Sequence, residues 1–164
     1  MIIYSQVILF TRLILCALAS SIPPFLTGIE VSLIKKHRRL IDVHVRESGT
    51  SPRFRITFVY GEPRTEDRHL MWELIRRLHG ASLEPWLLIG DFNEAMRGYE
   101  HFSACQRPER QMAAFRDVLA DCGLLDLGFV GLPFTYDNGR DGNANVKVRL
   151  DRAVADTRWR GFVQ

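Results

Sequence analysis

LLIGDFNE, Leu87 to Glu94, is the stretch on which the fold turns. With Pro85 and Trp86 ahead of it, the run PWLLIG is apolar without alternation, the pattern of a short strand buried on both faces. The run ends at Gly90, and Asp91 and Asn93 follow two residues apart. Open α/β sheets place ligands just past the carboxyl ends of such strands. Residues two apart in extended chain share a face, so Asp91 and Asn93 are expected to converge. Gly90 would let the backbone come close to a ligand. A carboxylate there can orient a water or hold a hard cation, and an amide can donate to a phosphoryl oxygen. The competing interpretation is an Asx-type turn, because Asp and Asn favour turns anyway. The stretch alone leaves both open.

Working outward, LIDVHVR (residues 40–46) alternates, with Ile41, Val43 and Val45 on one face and Asp42, His44 and Arg46 on the other. That is the signature of a half-buried strand. FRITFVY (54–60) alternates in the same way, and the link ESGTSP between them predicts a hairpin. A helix is expected after Thr65, a candidate N-cap, with Glu66 and Asp67 at its positive end. Leu70, Met71, Leu74, Ile75 and Leu78 form its apolar stripe, and Gly80 can supply a left-handed C-terminal cap. A second helix spans about 110–122, with Met112, Phe115, Val118, Leu119 and Cys122 on one face and Gly123 as its stop. LLDLGFVG, PFTYDN and NVKVRLDRAV then look like strands separated by Gly-Asn-Asp turns, and DTRWRGF like the start of a last helix. A mixed sheet covered by helices follows, in the α/β or α+β class.

At 164 residues, 46% hydrophobic and 25% charged, the chain is long enough for one domain with a sizeable core. The net charge of +3 leans towards polyanionic partners. The basic clusters, Lys35–Arg39 and Arg76-Arg77, are each read as a solvated face. Three widely spaced cysteines support neither a zinc site nor a disulfide framework. Residues 1–25 are strongly apolar up to Pro23-Pro24, and Ala17-Leu18-Ala19 has the form of a signal-peptidase site. Arg12 interrupts the run, which is short for a membrane span. The segment is a signal or anchor, a buried element of the domain, or unrelated sequence. Membrane association is expected only if the segment is a real anchor; the nucleus or cytoplasm is expected if it is spurious, and a secretory or membrane location otherwise.

In order along the chain, FVYGEPRTEDRHLMWELIRRLHG, PWLLIGDFNE and RPERQMAAFRDVLADCGLLDLGFVGLPFTYDNGRDGNANVKVRLDRAVADTRWR resemble successive blocks of the endonuclease/exonuclease/phosphatase superfamily. They are most similar to the endonuclease-like domain of plant LINE-type retroelements. The resemblance runs from about Arg39 to the end and implies a partial domain over 39–164 with a two-sheet α/β sandwich. It implies metal-dependent hydrolysis of phosphodiester or phosphomonoester bonds, with magnesium as the usual ion. Phosphoinositides and other phosphoesters are substrates in the superfamily, and the likeness to the retroelement domain implies nucleic acid, specifically DNA. By the same resemblance, Tyr60 approaches the scissile phosphate, and Asp91 orients or deprotonates the attacking water and touches the metal. Asn93 helps hold the phosphate, Asp151 supports a catalytic histidine, and Thr135 lies near the substrate.

The family pattern also has a WN strand, an ET strand with a metal-binding glutamate, and a closing SDH with the catalytic histidine. None of these occurs in the 164 residues. His69, His79 and His101 fall at other positions. Losing a general acid/base removes about two to four powers of ten in rate, and losing the metal carboxylate removes charge stabilisation of the phosphoryl group. The expectation is therefore a weak or inactive phosphodiesterase of marginal stability, its sheet edges left open. The alternatives are a non-catalytic retroelement remnant or interaction module, and a secreted or anchored protein.

Overall fold

The computed structural model describes residues 29–47 and 52–162. The apolar segment 1–25, with its signal or anchor reading, and the centre of the ESGTSP link lie outside the described residues. Among those described, no helix is long and apolar enough to cross a membrane.

Strands β1 (Ile29–His37), β2 (Leu40–Glu47), β3 (Phe54–Tyr60), β4 (Trp86–Asp91), β6 (Leu125–Asp126) and β9 (Asp151–Ala155) form one mixed sheet in the order β1-β2-β3-β4-β9-β6. A smaller sheet joins β5 (His101–Phe102), β8 (Lys147–Val148) and β7 (Tyr136–Asp137). The hairpin expected between β2 and β3 forms, antiparallel with Leu40 opposite Val59. β3 and β4 run parallel, joined through helix α1 (Arg68–His79), and β9 lies antiparallel on the other side of β4. Helix α2 (Glu109–Asp121) follows β5, and the short α3 (Thr157–Phe162) follows β9. The architecture is the mixed α/β, two-sheet arrangement expected from the sequence.

The large sheet is covered on both faces. On one, Leu40, Val59, Trp86, Leu88 and Val154 pack with Met71, Trp72, Ile75 and Leu78 of α1 and Phe115, Val118 and Leu119 of α2. Trp72 and Phe115 stack with ring centroids 4.9 Å apart. On the other, Val43, Val45, Ile56, Leu87, Ile89 and Ala155 form a second cluster, against which Trp159 of α3 packs.

Several local expectations change. Thr65 opens a short 3-10 turn rather than capping α1, whose N-cap is Asp67. Leu70 is 48% exposed, and Trp72 is the buried residue in its place. Gly80 has φ −68°, right-handed, so α1 does not end in a left-handed cap. Gly123, at φ +62°, does end α2 in that way. The strand β1, upstream of Arg39, was not legible.

The largest correction concerns β2. Asp42, read as solvent-facing, has 0% exposure. It accepts from Arg55 Nε at 2.9 Å and Arg55 Nη2 at 2.6 Å, and from the Thr57 hydroxyl at 2.8 Å. Arg55 Nη1 donates to the Leu78 carbonyl at 2.7 Å, and the Trp86 indole N–H donates to the Thr57 hydroxyl at 2.8 Å. One buried network therefore joins β2, β3, β4 and α1. Asp42→Ala is expected to destabilise the fold by about 3–5 kcal/mol, because it strands a buried guanidinium. The double change Asp42→Leu/Arg55→Met is expected to cost much less; urea unfolding of the two variants checks the order.

Candidate active site

β3 and β4 end, and β9 begins, side by side, and their registers align the candidate residues. Tyr60 stands opposite Asp91, and Asp91 opposite Asp151. Side chains alternate along each strand. Leu87 and Ile89, Ile56 and Phe58, and Ala153 and Ala155 all point into the cluster on the face away from α1 and α2. Asp91, Tyr60 and Asp151 continue those three series onto the same face. They make one polar row across three strands, at the carboxyl end of β4. Tyr60 is 54% exposed, with the Arg39 guanidinium 5.5 Å from its ring centroid.

Asn93 joins the row by a turn, not by extended alternation. Its φ is +56°, the left-handed region that Asn tolerates better than most residues. Its backbone N–H donates to Asp91 Oδ1 at 2.6 Å, and its Nδ2 donates to the Gly61 carbonyl at 3.0 Å. The Asx turn and the candidate site are thus one object. Gly90 serves strand packing rather than a ligand. Its φ is +136°, and a Cβ there would collide with the Val59 carbonyl oxygen. Gly61 N–H donates to the Asp91 carbonyl at 2.6 Å, and Phe92 N–H to the Leu150 carbonyl at 2.9 Å. Phe92 itself is buried against Phe115, which pins the turn to the helix-side core.

Thr135 lies beside Asp151. Its hydroxyl oxygen accepts from the N–H groups of Leu150 at 2.9 Å and Asp151 at 3.0 Å, and so aligns the start of β9. His69 and His79 lie on α1, and His101 lies on β5 of the smaller sheet.

Sequence reasoning missed a set of supporting charges. Glu94 is buried and accepts from Arg68 Nη1 at 2.6 Å and Arg107 Nε at 2.5 Å. Arg107 Nη2 also donates to the Asn93 carbonyl at 3.3 Å, and Arg68 Nε to the Glu62 carbonyl at 3.1 Å. The two arginines, from separate parts of the chain, clamp the Asp91–Glu94 turn. Only an acid directly after the motif hinted at this. Glu62 is likewise engaged, accepting from Arg39 Nη2 at 2.5 Å.

Asp91 and Asp151 are the acids of this row, and neither makes an ion pair among the described residues. Burial holds the Asp91 carboxyl above the usual aspartate range. The Asn93 N–H opposes that rise, the Asp151 carboxylate adds to it, and Arg68 opposes it. Among the described residues, no group of three or more His, Cys, Asp and Glu forms a metal cluster. Magnesium in phosphate sites is commonly held through one or two carboxylates, with waters and phosphate oxygens completing its shell. Asp91 and Asp151 fit that limited donor role.

Because burial raises Asp91, the folded chain keeps this proton to higher pH than the unfolded chain does. Its contribution to stability is full below the unfolded pKa and is lost as pH rises through the folded one. Asp91→Asn keeps an acceptor for the Asn93 N–H. It is expected to raise Tm at pH 7, with the gain fading in acid below the ordinary aspartate range. Melting curves across pH check this, and a lower Tm at pH 7 would contradict it.

The model of the endonuclease/exonuclease/phosphatase family matches residues 13–163. No curated protein gives a significant match. Solved structures do. The endonuclease domain of TRAS1, a telomere-specific non-LTR retrotransposon, superposes with a TM-score of 0.64 at 17% identity, covering 79% of this chain and 56% of its own. The human Nocturnin catalytic domain with bound sulfate gives 0.47 at 13% identity, over 80% of this chain and 49% of its own. D. rerio TDP2 complexed with single-strand DNA product gives 0.46 at 12% identity, over 79% and 54%. The chain therefore spans about half the length of these structures. At 17% identity the TRAS1 similarity concerns the fold alone. It agrees with the sequence match, by which the chain belongs to the endonuclease/exonuclease/phosphatase family.

Proposed function

We propose that this chain carries part of a phosphodiesterase site for nucleic acid, and that the 164-residue polypeptide alone is a weak or inactive nuclease. One observation carries the reading: Tyr60, Asp91 and Asp151 stand in one row across β3, β4 and β9, with Asn93 folded back beside Asp91. In this reading Asp91 orients or deprotonates the attacking water, with its carboxyl held above the usual aspartate range by burial. The Tyr60 hydroxyl and the Asn93 side chain address the phosphate. Asn93 spends one amide hydrogen on Gly61 and keeps a second donor and its oxygen available. Thr135 holds the strand start that presents Asp151.

Magnesium would be held by Asp91 and Asp151, and when bound it supplies positive charge to the phosphoryl oxygens. Among the described residues, Glu62 and Glu94 nearby are engaged by arginines and do not add to that donor set. This supports weak turnover. Nucleic acid as the substrate is supported by the sequence resemblance and by the TRAS1 domain, which is a retrotransposon endonuclease.

The purified chain is expected to bind a labelled oligonucleotide and to nick supercoiled plasmid in magnesium barely above background. Robust nicking, abolished by Asp91→Ala, would overturn the claim of weak activity and leave the site reading standing. Neither binding nor nicking would remove nucleic acid as the substrate.

A further inference from the structure

We infer that the β1–β2 turn is a phosphate-backbone contact that guides a nucleic-acid strand across the Tyr60–Asp91–Asp151 row. The inference rests on the nucleic-acid reading above and adds a surface to it. The sequence KKHRR (residues 35–39) reads as an ordinary solvated cluster until the registers are followed. His37 pairs with Leu40, Leu40 with Val59, and the next residue of β3 is Tyr60. The Tyr60 N–H donates to the Arg39 carbonyl at 2.9 Å. The turn therefore sits at the same end of the sheet as the candidate site.

It also reaches the same face. Lys36 is paired with Ile41, and cross-strand partners share a face. Ile41 belongs to the cluster that Tyr60 and Asp91 cap. Lys36 is exposed and has no ion pair among the described residues. The Arg38 side chain is 70% exposed, with Glu62 at 3.8 Å. The same Glu62 is bound more tightly by Arg39, at 2.5 Å. One carboxylate thus serves two arginines, and the turn keeps excess positive charge. Within the turn, the Arg39 N–H donates to His37 Nδ1 at 3.2 Å.

The spacing suits a polyanion. Neighbouring strands lie about 4.8 Å apart, so the start of β2 is about 10 Å from the end of β4. A nucleic-acid strand advances about 3.4 Å per phosphate. A strand with one phosphate at Asp91 would pass Arg38 and Lys36 within a few nucleotides. Lysines on edge strands also discourage edge-to-edge pairing. That role does not need two further basic residues in the turn on the side of the site.

The test is oligonucleotide binding by the full chain, followed by fluorescence anisotropy over a salt series. The Lys36→Ala/Arg38→Ala variant should bind more weakly at low salt. Its plot of log affinity against log salt should be shallower by about 1.5, the loss of two phosphate contacts. Lys36→Arg/Arg38→Lys should keep the original slope. So should Arg77→Ala, at the far end of α1, where the Leu78 carbonyl meets Arg55 near the start of β3. Circular dichroism establishes that each variant is folded. Binding by the parent chain with no change of slope in the double Ala variant overturns this inference alone. Absence of binding by the parent chain overturns the nucleic-acid reading and this inference with it. Binding only to phosphatidylserine vesicles assigns the charge to a membrane surface and overturns it as well.

Discussion

Asp42 and Arg55 face each other inside the layer between the sheet and α1, and the alignment of the site depends on their pairing. A register slip by one residue would turn every side chain of a strand to the opposite face. In a strand covered on both sides, apolar packing alone discriminates poorly against such a slip. A buried carboxylate does so strongly, because it has to meet its guanidinium. Asp42 meets Arg55 and Thr57 of β3, and Thr57 in turn meets the indole of Trp86 on β4. With those three strands locked, Tyr60 stands opposite Asp91 by construction. The cost of burying two charges is offset by satisfied hydrogen bonds rather than by the ion pair alone.

The parts legible in the sequence were those governed by local pattern. Alternation found β2 and β3, the continuous apolar run found β4, and the stripe through Met112, Phe115 and Val118 found α2. What stayed hidden was decided by partners far along the chain. Asp42 looked solvent-facing because nothing local announced Arg55. Strand β1 was hidden by its lysines and by the bulge between Leu33 and Lys35. The strand end marked Asp91 and Asn93, and motif resemblance added Tyr60 and Asp151; the registers align Tyr60, Asp91 and Asp151, and a turn brings in Asn93. Glu94, Arg68 and Arg107 left no signal that spacing could detect.

The end of the sheet separates two kinds of acid. Glu62 and Glu94 are neutralised by arginines and hold the scaffold. Asp91 and Asp151 face each other without such neutralisation, and Asp91 resists ionisation as a result of burial and that neighbour. Structural acids in this chain are made content and the candidate functional ones are not. Unrelieved charge of this kind is what a cation or a proton in transit would relieve.

The place of β4 in the sheet has a consequence for how the chain reaches its folded state. Its parallel partner β3 precedes it across a helix, and its antiparallel partner β9 arrives only after α2 and the smaller sheet. Pairing of distant segments requires loop closure before contacts reward it, so it tends to be slow. The β2–β3 hairpin can form early from neighbouring residues. Asp151 reaches Asp91 only when the last strand docks. The polar row is therefore complete only once β9 has paired with β4.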